Sequence, residues 1–243
     1  MHLVKLDAID STNEFLKGMA SQESVDNFTV VTAENQTKGK GQMGSVWTSE
    51  RGKNLIMSVL IKDCIPDIHQ IFHLNIAVSL AVIEALNTFK IPNLSIKWPN
   101  DILSDNKKIG GILIENSIKS DGTILSIVGL GLNVNQTSFE NLPQASSLAL
   151  INDTTFDKEA ILFEIIEHMK RNVSSWHQEP ELQKEKYDSL LFKKGIPMPF
   201  QNQDGNRFMG IILGVSEIGM LRIQLEDDTI SEFNIKEIQL LYS

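Results

Sequence analysis

A single cysteine, Cys64, in 243 residues leaves no partner for an internal disulfide and no thiolate cluster for a metal. Positive charge is also scarce. Lys and Arg total 22 against 31 Asp and Glu, a net −9, which excludes a general nucleic-acid surface. No run reaches the ~18 or more uncharged apolar residues that a membrane span needs. The N-terminus, Met1-His2-Leu3-Val4-Lys5, lacks the apolar core of a secretory signal. These absences point to a folded protein of a reducing cytoplasm, with no membrane and no DNA partner. There are no internal repeats and no low-complexity tract. What is present, 42% hydrophobic and 22% charged residues, suits one large or two modest domains.

The chain is organised around Lys97-Trp98-Pro99-Asn100-Asp101 and Lys108-Ile109-Gly110-Gly111-Ile112-Leu113-Ile114-Glu115. Leu94 to Trp98 alternates apolar and polar residues and predicts a half-buried strand. Pro99 ends it, Asn100 and Asp101 are turn formers, and Ser104-Asp105-Asn106 turns the chain into a second strand over 109–114. Two glycines inside that strand mark a close approach by a ligand or another backbone. The predicted hairpin carries two cations, an amide, a carboxylate and a cleared floor, equipment for holding an anion. A surface hairpin with solvated lysines fits the same local pattern.

A second cationic cluster lies upstream. Lys38, Lys40, Arg51 and Lys53 are interrupted only by Glu50, and on an acidic chain they suit either a small anion or solvent. Lys38-Gly39-Lys40-Gly41-Gln42-Met43-Gly44 formally satisfies G-x-G-x-x-G. However, Ser45 to Ser49 has no helical periodicity, so the dinucleotide fingerprint fails. Walker A fails too, because no Gly-Lys-Ser/Thr closes the loop. A flexible Gly–Lys loop between strands 28–34 and 55–61 remains, its glycines free to adopt positive φ or approach a ligand closely.

Elsewhere, Ser11 with Glu14 reads as a capping box before Phe15, Leu16 and Met19. It also reads as a helix N-terminus able to hold a carboxylate or a ureido carbonyl. Pro66-Asp67 starts a buried helix over 68–89, in which His69 and His73 are ordinary helix residues. Lys119-Ser120-Asp121-Gly122 is a turn. A strand over 123–135 follows, cleared by Gly129 and Gly131 and ended by Asn133. Thr154 and Asp157 open a helix with the stripe Ile161, Leu162, Ile165, Ile166, Met169, Val173 and Trp176, and Pro180 opens another. Residues 196–243 hold short β-type runs with three basic and seven acidic side chains, a small barrel or sandwich of five or so strands and no nucleic-acid module.

Several elements fall in one order: Asp10-Ser-Thr-Asn13, Gln36 with the 38–44 loop, Lys97-Trp-Pro-Asn-Asp101, Lys108-x-x-Gly-Ile-Leu-x-Glu115, and Gly129-x-Gly-x-Asn133, with Ala145-Ser-Ser-Leu148 a weaker sixth. Together they resemble the biotin protein ligase family, biotin–[acetyl-CoA-carboxylase] ligase, over essentially the whole chain. The resemblance implies an α+β fold: a mixed, mainly antiparallel sheet backed by helices, like class II aminoacyl-tRNA synthetases, over residues 1–194. A small SH3-like β-barrel would follow over 195–243. Asp10 stands too early for a preceding winged helix-turn-helix, as in the group of ligases without a DNA-binding domain. Pairing of two copies through the catalytic sheet is an implied option.

The resemblance also implies a chemistry. Biotin attacks the α-phosphate of ATP, pyrophosphate leaves, and a lysine of a biotin carboxyl carrier protein then displaces AMP, with Mg²⁺ as the implied cofactor. Ser11, Thr12 and Asn13 would bond the ureido ring and Gln36 would lie along it. Gly111 would clear the floor. Lys40, Gly41 and Gln42 would fold over biotin as part of a lid that excludes water, with Lys40 also binding the adenylate. Lys108 would stand between the biotin carboxylate and the α-phosphate, and Lys97 would face the phosphates. Trp47, Asn100, Asp101 and Asn133 would hold the adenylate, with no direct metal ligand assigned. The family loop reads G-R-G-R-x-G, whereas here Lys40 and Gln42 stand for the two arginines. Two other readings are a lipoate–protein ligase and a non-catalytic biotin sensor.

Overall fold

In the computed structural model every residue is described except 23, 66, 68, 69, 120, 121, 141 and 243. Pro66, Ile68 and His69 of the predicted helix start, and Ser120 and Asp121 of the predicted turn, lie outside the described residues.

The main sheet has seven strands in the order β1-β2-β3-β7-β6-β5-β4. They are β1 (Leu3–Leu6), β2 (Val30–Ala33), β3 (Leu55–Lys62), β4 (Leu94–Lys97), β5 (Asp101–Ser104), β6 (Lys107–Ile118) and β7 (Ile124–Leu132). Only β1 and β2 pair in parallel; the other neighbours are antiparallel. This is the mixed, mainly antiparallel sheet expected. The predicted hairpin is instead a three-stranded meander. Asp101 is the first residue of β5 rather than a turn residue, because Ile102 and Leu103 behind it are completely buried and pull the segment into the sheet.

Alternation divides the sheet into two faces. Leu55, Met57, Val59 and Ile61 of β3, and Val128, Leu130 and Leu132 of β7, face one core with α2 (Ile71–Thr88) and α4 (Lys158–Ser175). The predicted stripe Ile161 to Val173 is buried in that core, and Asp157 caps α4 by accepting from the Glu159 amide at 2.8 Å. By length and composition α2 is apolar enough to cross a bilayer. Yet 61% of it is buried inside the protein, and its apolar surface is spent on the core. The ring of His73 stacks on Trp176 at 5.0 Å.

On the opposite face α1 (Thr12–Gln22) covers β2, β3 and the adjoining part of β7, in a cluster of Leu16, Val25, Val31, Leu60 and Ile127. The rest of that face is left for the site. After α3 (Leu148–Asn152) and α5 (Pro180–Ser189), five strands form an antiparallel sheet in the order β11-β10-β9-β8-β12, consistent with a small barrel-like module. These are β8 (Pro197–Asn202), β9 (Arg207–Val215), β10 (Leu221–Leu225), β11 (Ile230–Phe233) and β12 (Ile238–Leu240). Its apolar residues Phe200, Ile212 and Leu221 join the main core.

Cys64 packs half-buried against the main core, its carbonyl accepting from Trp176 Nε1 at 3.1 Å, and burial pushes its thiol up from 9.0 to about 11. A raised thiol pKa means less thiolate at any working pH, so alkylation slows in the folded state. At pH 8 iodoacetamide is expected to label native Cys64 roughly a hundredfold more slowly than the denatured chain. Mass spectrometry of timed samples reads this directly, and equal rates in both states contradict it.

Candidate active site

One row of the sheet sets the geometry. Lys97 pairs with Asp101, Asp101 with Gly111, Gly111 with Gly131, and Gly131 with Ile56, on successive strands β4-β5-β6-β7-β3. Directly opposed residues share a face. The row therefore runs from a charged end across two bare glycines. The next row is Leu113, Gly129 and Ser58. A side chain at Gly129 would enter the Asn13 amide, and one at Gly131 would enter the Trp47 indole. The glycines at 129 and 131 thus make room for two protein groups, the Asn13 amide and the Trp47 indole, rather than for a ligand directly.

Lys108 reaches this face through an irregularity. Pairing shifts between Ile102 and Leu103, so Ile102 opposes Gly110 but Leu103 opposes Lys108. The extra residue, Ile109, is fully buried in the helix-side core. A bulge re-aims the side chains beside it. Lys108 Nζ thus sits 2.5 Å from Asp101 Oδ1, while Lys97 Nζ lies 3.7 Å from Asp101 Oδ2. The two cations converge on one carboxylate that is only 17% exposed.

At the far end Ser11, Thr12 and Asn13 are 4%, 3% and 4% exposed. Gln36 Oε1 accepts from the Thr12 amide at 2.7 Å and its hydroxyl at 3.1 Å. Ser58 Oγ stands 2.7 Å from Thr12 Oγ1 and 2.6 Å from Asn13 Oδ1, and Asn13 Nδ2 donates to Glu115 at 2.7 Å. The expected capping box is half present. Ser11 Oγ accepts from the Glu14 amide at 3.5 Å, but the Glu14 carboxylate turns to Lys40 Nζ at 2.6 Å. The Lys40 ammonium holds the Glu14 carboxyl below its usual value, and Glu14 raises Lys40. This tether is intact above the ordinary carboxylate range and is lost as pH falls through the lowered value.

The expected flexible loop is a tight hairpin. Gly41 N donates to Ser45 O at 2.7 Å and Trp47 N to Gly39 O at 3.0 Å. Positive φ falls on Met43 and Gly44, not on Gly39 or Gly41. Three of the four cations of the upstream cluster are held in ion pairs. Lys38 pairs with Asp10, Lys40 with Glu14 and Arg51 with Asp7, since acids from the β1–α1 segment lie alongside.

Two cavities meet at the lysines. The first, about 650 Å³, is lined by Ser11, Thr12, Asn13, Gln36, Lys40, Gly41, Gln42, Trp47, Lys97, Asn100, Asp101, Lys108 and Gly111. The second, about 540 Å³, shares Trp47, Lys97, Asp101 and Lys108 and adds Asn133, Gln136 and Tyr242. All the sequence-predicted residues are therefore brought together except Asn133, which belongs to the second cavity alone. Asn133 Nδ2 donates to Ser146 O at 3.0 Å, and the Ser146 amide donates to Lys108 O at 2.9 Å, so the weak Ala145–Leu148 element lies beside the lysine. Asn100 Nδ2 donates to Ile112 O at 2.7 Å.

Sequence reasoning missed Ser58 and Tyr242. Ser58 is the lone polar residue inside the apolar run Leu55–Ile61, a signal that was readable. Tyr242 gives none. Its ring lies 5.6 Å from Lys97 Nζ and its carbonyl accepts from Gln144 Nε2 at 2.8 Å. Burial first, and the charge of Asp101 second, raise its phenol.

Two adjoining cavities that share Lys97, Asp101 and Lys108 make a site of the kind that holds two substrates against a common cationic edge. The chain belongs to the biotin/lipoate A/B protein ligase family, whose model matches residues 6–135. It is 29% identical over 233 residues to the bifunctional ligase/repressor BirA of Bacillus spizizenii, covering 93% of this chain and 70% of the relative. It is 26% identical over 224 residues to the biotin–[acetyl-CoA-carboxylase] ligase of Mycobacterium tuberculosis, covering 90% and 82%. Biotin protein ligase from Aquifex aeolicus in complex with biotin and ATP superposes with a TM-score of 0.81 at 28% identity, over 100% of this chain and 99% of that one.

Proposed function

We propose that this protein is an ATP-dependent biotin protein ligase that makes biotinyl-5′-AMP and passes the biotinyl group to a lysine of a carboxyl carrier protein. The observation that carries the reading is the convergence of Lys97 and Lys108 on Asp101 where the two cavities meet. The first cavity takes biotin and the second takes the nucleotide. A ureido ring presents two N–H donors and a carbonyl acceptor. The buried Ser11–Thr12–Asn13 cluster, backed by Ser58 and Gln36, offers matching hydroxyl and amide groups. A dithiolane ring has neither an N–H donor nor a carbonyl to exchange for the bonds these groups make with one another, which disfavours lipoate.

In the first step a carboxylate oxygen attacks the α-phosphorus and the bond to pyrophosphate breaks. Both reactants are anions, so positioning and fixed positive charge dominate the barrier. Lys108 holds the carboxylate against the α-phosphate, and Lys97 faces the departing phosphates. In the second step the carrier's amine attacks the acyl carbon and AMP leaves. No protein nucleophile takes part. Residues 1–194 carry the chemistry, and 195–243 wall the site through Ile235, Lys236, Ile238 and Tyr242.

Among the described residues no three of His, Cys, Asp and Glu gather as a metal site. Mg²⁺ typically keeps several waters and takes one or two carboxylates plus substrate phosphates; Asp101 and Glu140 both line the second cavity, and Asp101, at its junction with the first, fits an ion delivered on the nucleotide. When bound, the ion neutralises phosphate charge; Asp101 would hold it.

Incubation with ATP, Mg²⁺, biotin and a carrier domain is expected to add one biotin mass to the carrier. No mass shift, or a shift with lipoate instead, refutes the reading. Gln42 lines the first cavity without charge. Gln42→Arg, which supplies a forked cation, is expected to slow stopped-flow release of the adenylate roughly tenfold. An unchanged rate contradicts that role.

A further inference from the structure

The hairpin over the first cavity is held from two sides. On one side Lys40 ties it to α1 through Glu14. On the other, Lys236 Nζ donates to the carbonyl of Met43, at the hairpin's tip, at 2.7 Å. Lys236 belongs to the turn between β11 and β12, in the C-terminal sheet and 193 residues away in sequence.

That turn is built to present it. Glu237 accepts from the Asn234 amide at 2.6 Å and from Asn234 Nδ2 at 3.1 Å, and the Glu237 amide returns to Asn234 O at 3.1 Å. Gln203 Nε2 donates to Lys236 O at 3.4 Å. Lys236 itself sits at φ +72, and Met43 at φ +53. Left-handed backbone at a non-glycine residue is costly and persists where surrounding contacts hold it. Both partners also line the first cavity, so the contact lies at its mouth.

We infer that Lys236 is a positioning residue for the lid: the C-terminal module latches the 39–47 hairpin shut over the first cavity and so retains the adenylate. The inference rests on the proposed ligase reading for its ligand, though not for the latch itself. It assigns the 234–237 turn a role in holding a reactive intermediate. An acyl-adenylate freed into water hydrolyses, so a slower opening keeps it for the carrier's amine.

Two measurements on the full chain test this. Hydrogen exchange of the Gly41, Ser45 and Trp47 amides in the free protein reports lid opening without any ligand. Lys236→Ala is expected to speed it roughly fivefold, the effect of one hydrogen bond, and Lys236→Arg, which keeps a donor, to stay within about twofold of wild type. Stopped-flow release of biotinyl-adenylate is expected to follow the same order. If Lys236→Ala exchanges at the wild-type rate, or both variants open alike, the latch is wrong. If the exchange result holds while wild type forms no adenylate, the latch stands and the ligase reading falls.

Discussion

Lys108→Met is expected to lower the rate of adenylate formation by roughly 10²–10³-fold, the effect of removing one preorganised donor from developing phosphoryl charge. The substitution keeps the aliphatic stem and removes only the ammonium. Its structural cost is moderated by Lys97, which stays 3.7 Å from Asp101 and continues to compensate the carboxylate. Loss of activity should therefore exceed loss of stability, a separation seen by comparing pyrophosphate release with thermal melting. The kinetic signature discriminates further. An ammonium that meets both reactants in the transition state lowers kcat, whereas a residue that only anchors ground-state ATP raises KM and leaves kcat alone. Activity within tenfold of wild type would remove Lys108 from the centre of the chemistry. Lys97→Met serves as the companion, because it faces the same carboxylate from the other strand.

Lys108 is legible in the sequence as a residue type but not as a position on the sheet. The residue types were legible: two lysines, a carboxylate and glycines at alternate strand positions indicate an anion over a cleared floor. The glycines at 111, 129 and 131 share a face, as period-two spacing requires. Strict alternation over β6 would have put Lys108 on the opposite face from Gly111. Only the bulge at Ile109 brings it round, and bulges are set by the pairing partner rather than by the strand's own residues. The same limit hid β5. Asn100 and Asp101 carry turn propensity, but burial of Ile102 and Leu103 overrides it. The cationic loop was legible as charge and illegible as pairing, because Asp7, Asp10 and Glu14 come from a separate element. Tyr242 and Lys236 arrive from the far end of the chain, where no local pattern announces which wall they will form.

Gly131→Ala is expected to weaken both substrates, and the reason is a single ring. A methyl group there would overlap the Trp47 indole, which walls both cavities and stands 5.8 Å from Lys108 Nζ. The overlap falls on the body of the ring, at Cε2, Cζ2 and Cδ2, rather than on a flexible tip, so the whole indole must swing away to make room. Overpacking of this kind costs about 1–3 kcal/mol, which corresponds to roughly 5- to 150-fold weaker binding of biotin and of ATP by calorimetry. A double-mutant cycle isolates the cause. In a Trp47→Ala background the added methyl meets space instead of a ring, so Gly131→Ala should become nearly neutral there, with a coupling of opposite sign to its cost alone. If the glycine substitution is equally harmful without the indole, the damage lies in the sheet and not in the cavity wall. In that case the bare row from Asp101 to Ile56 would be a feature of strand packing, and the two cavities would lose their common boundary as the organising element of the site.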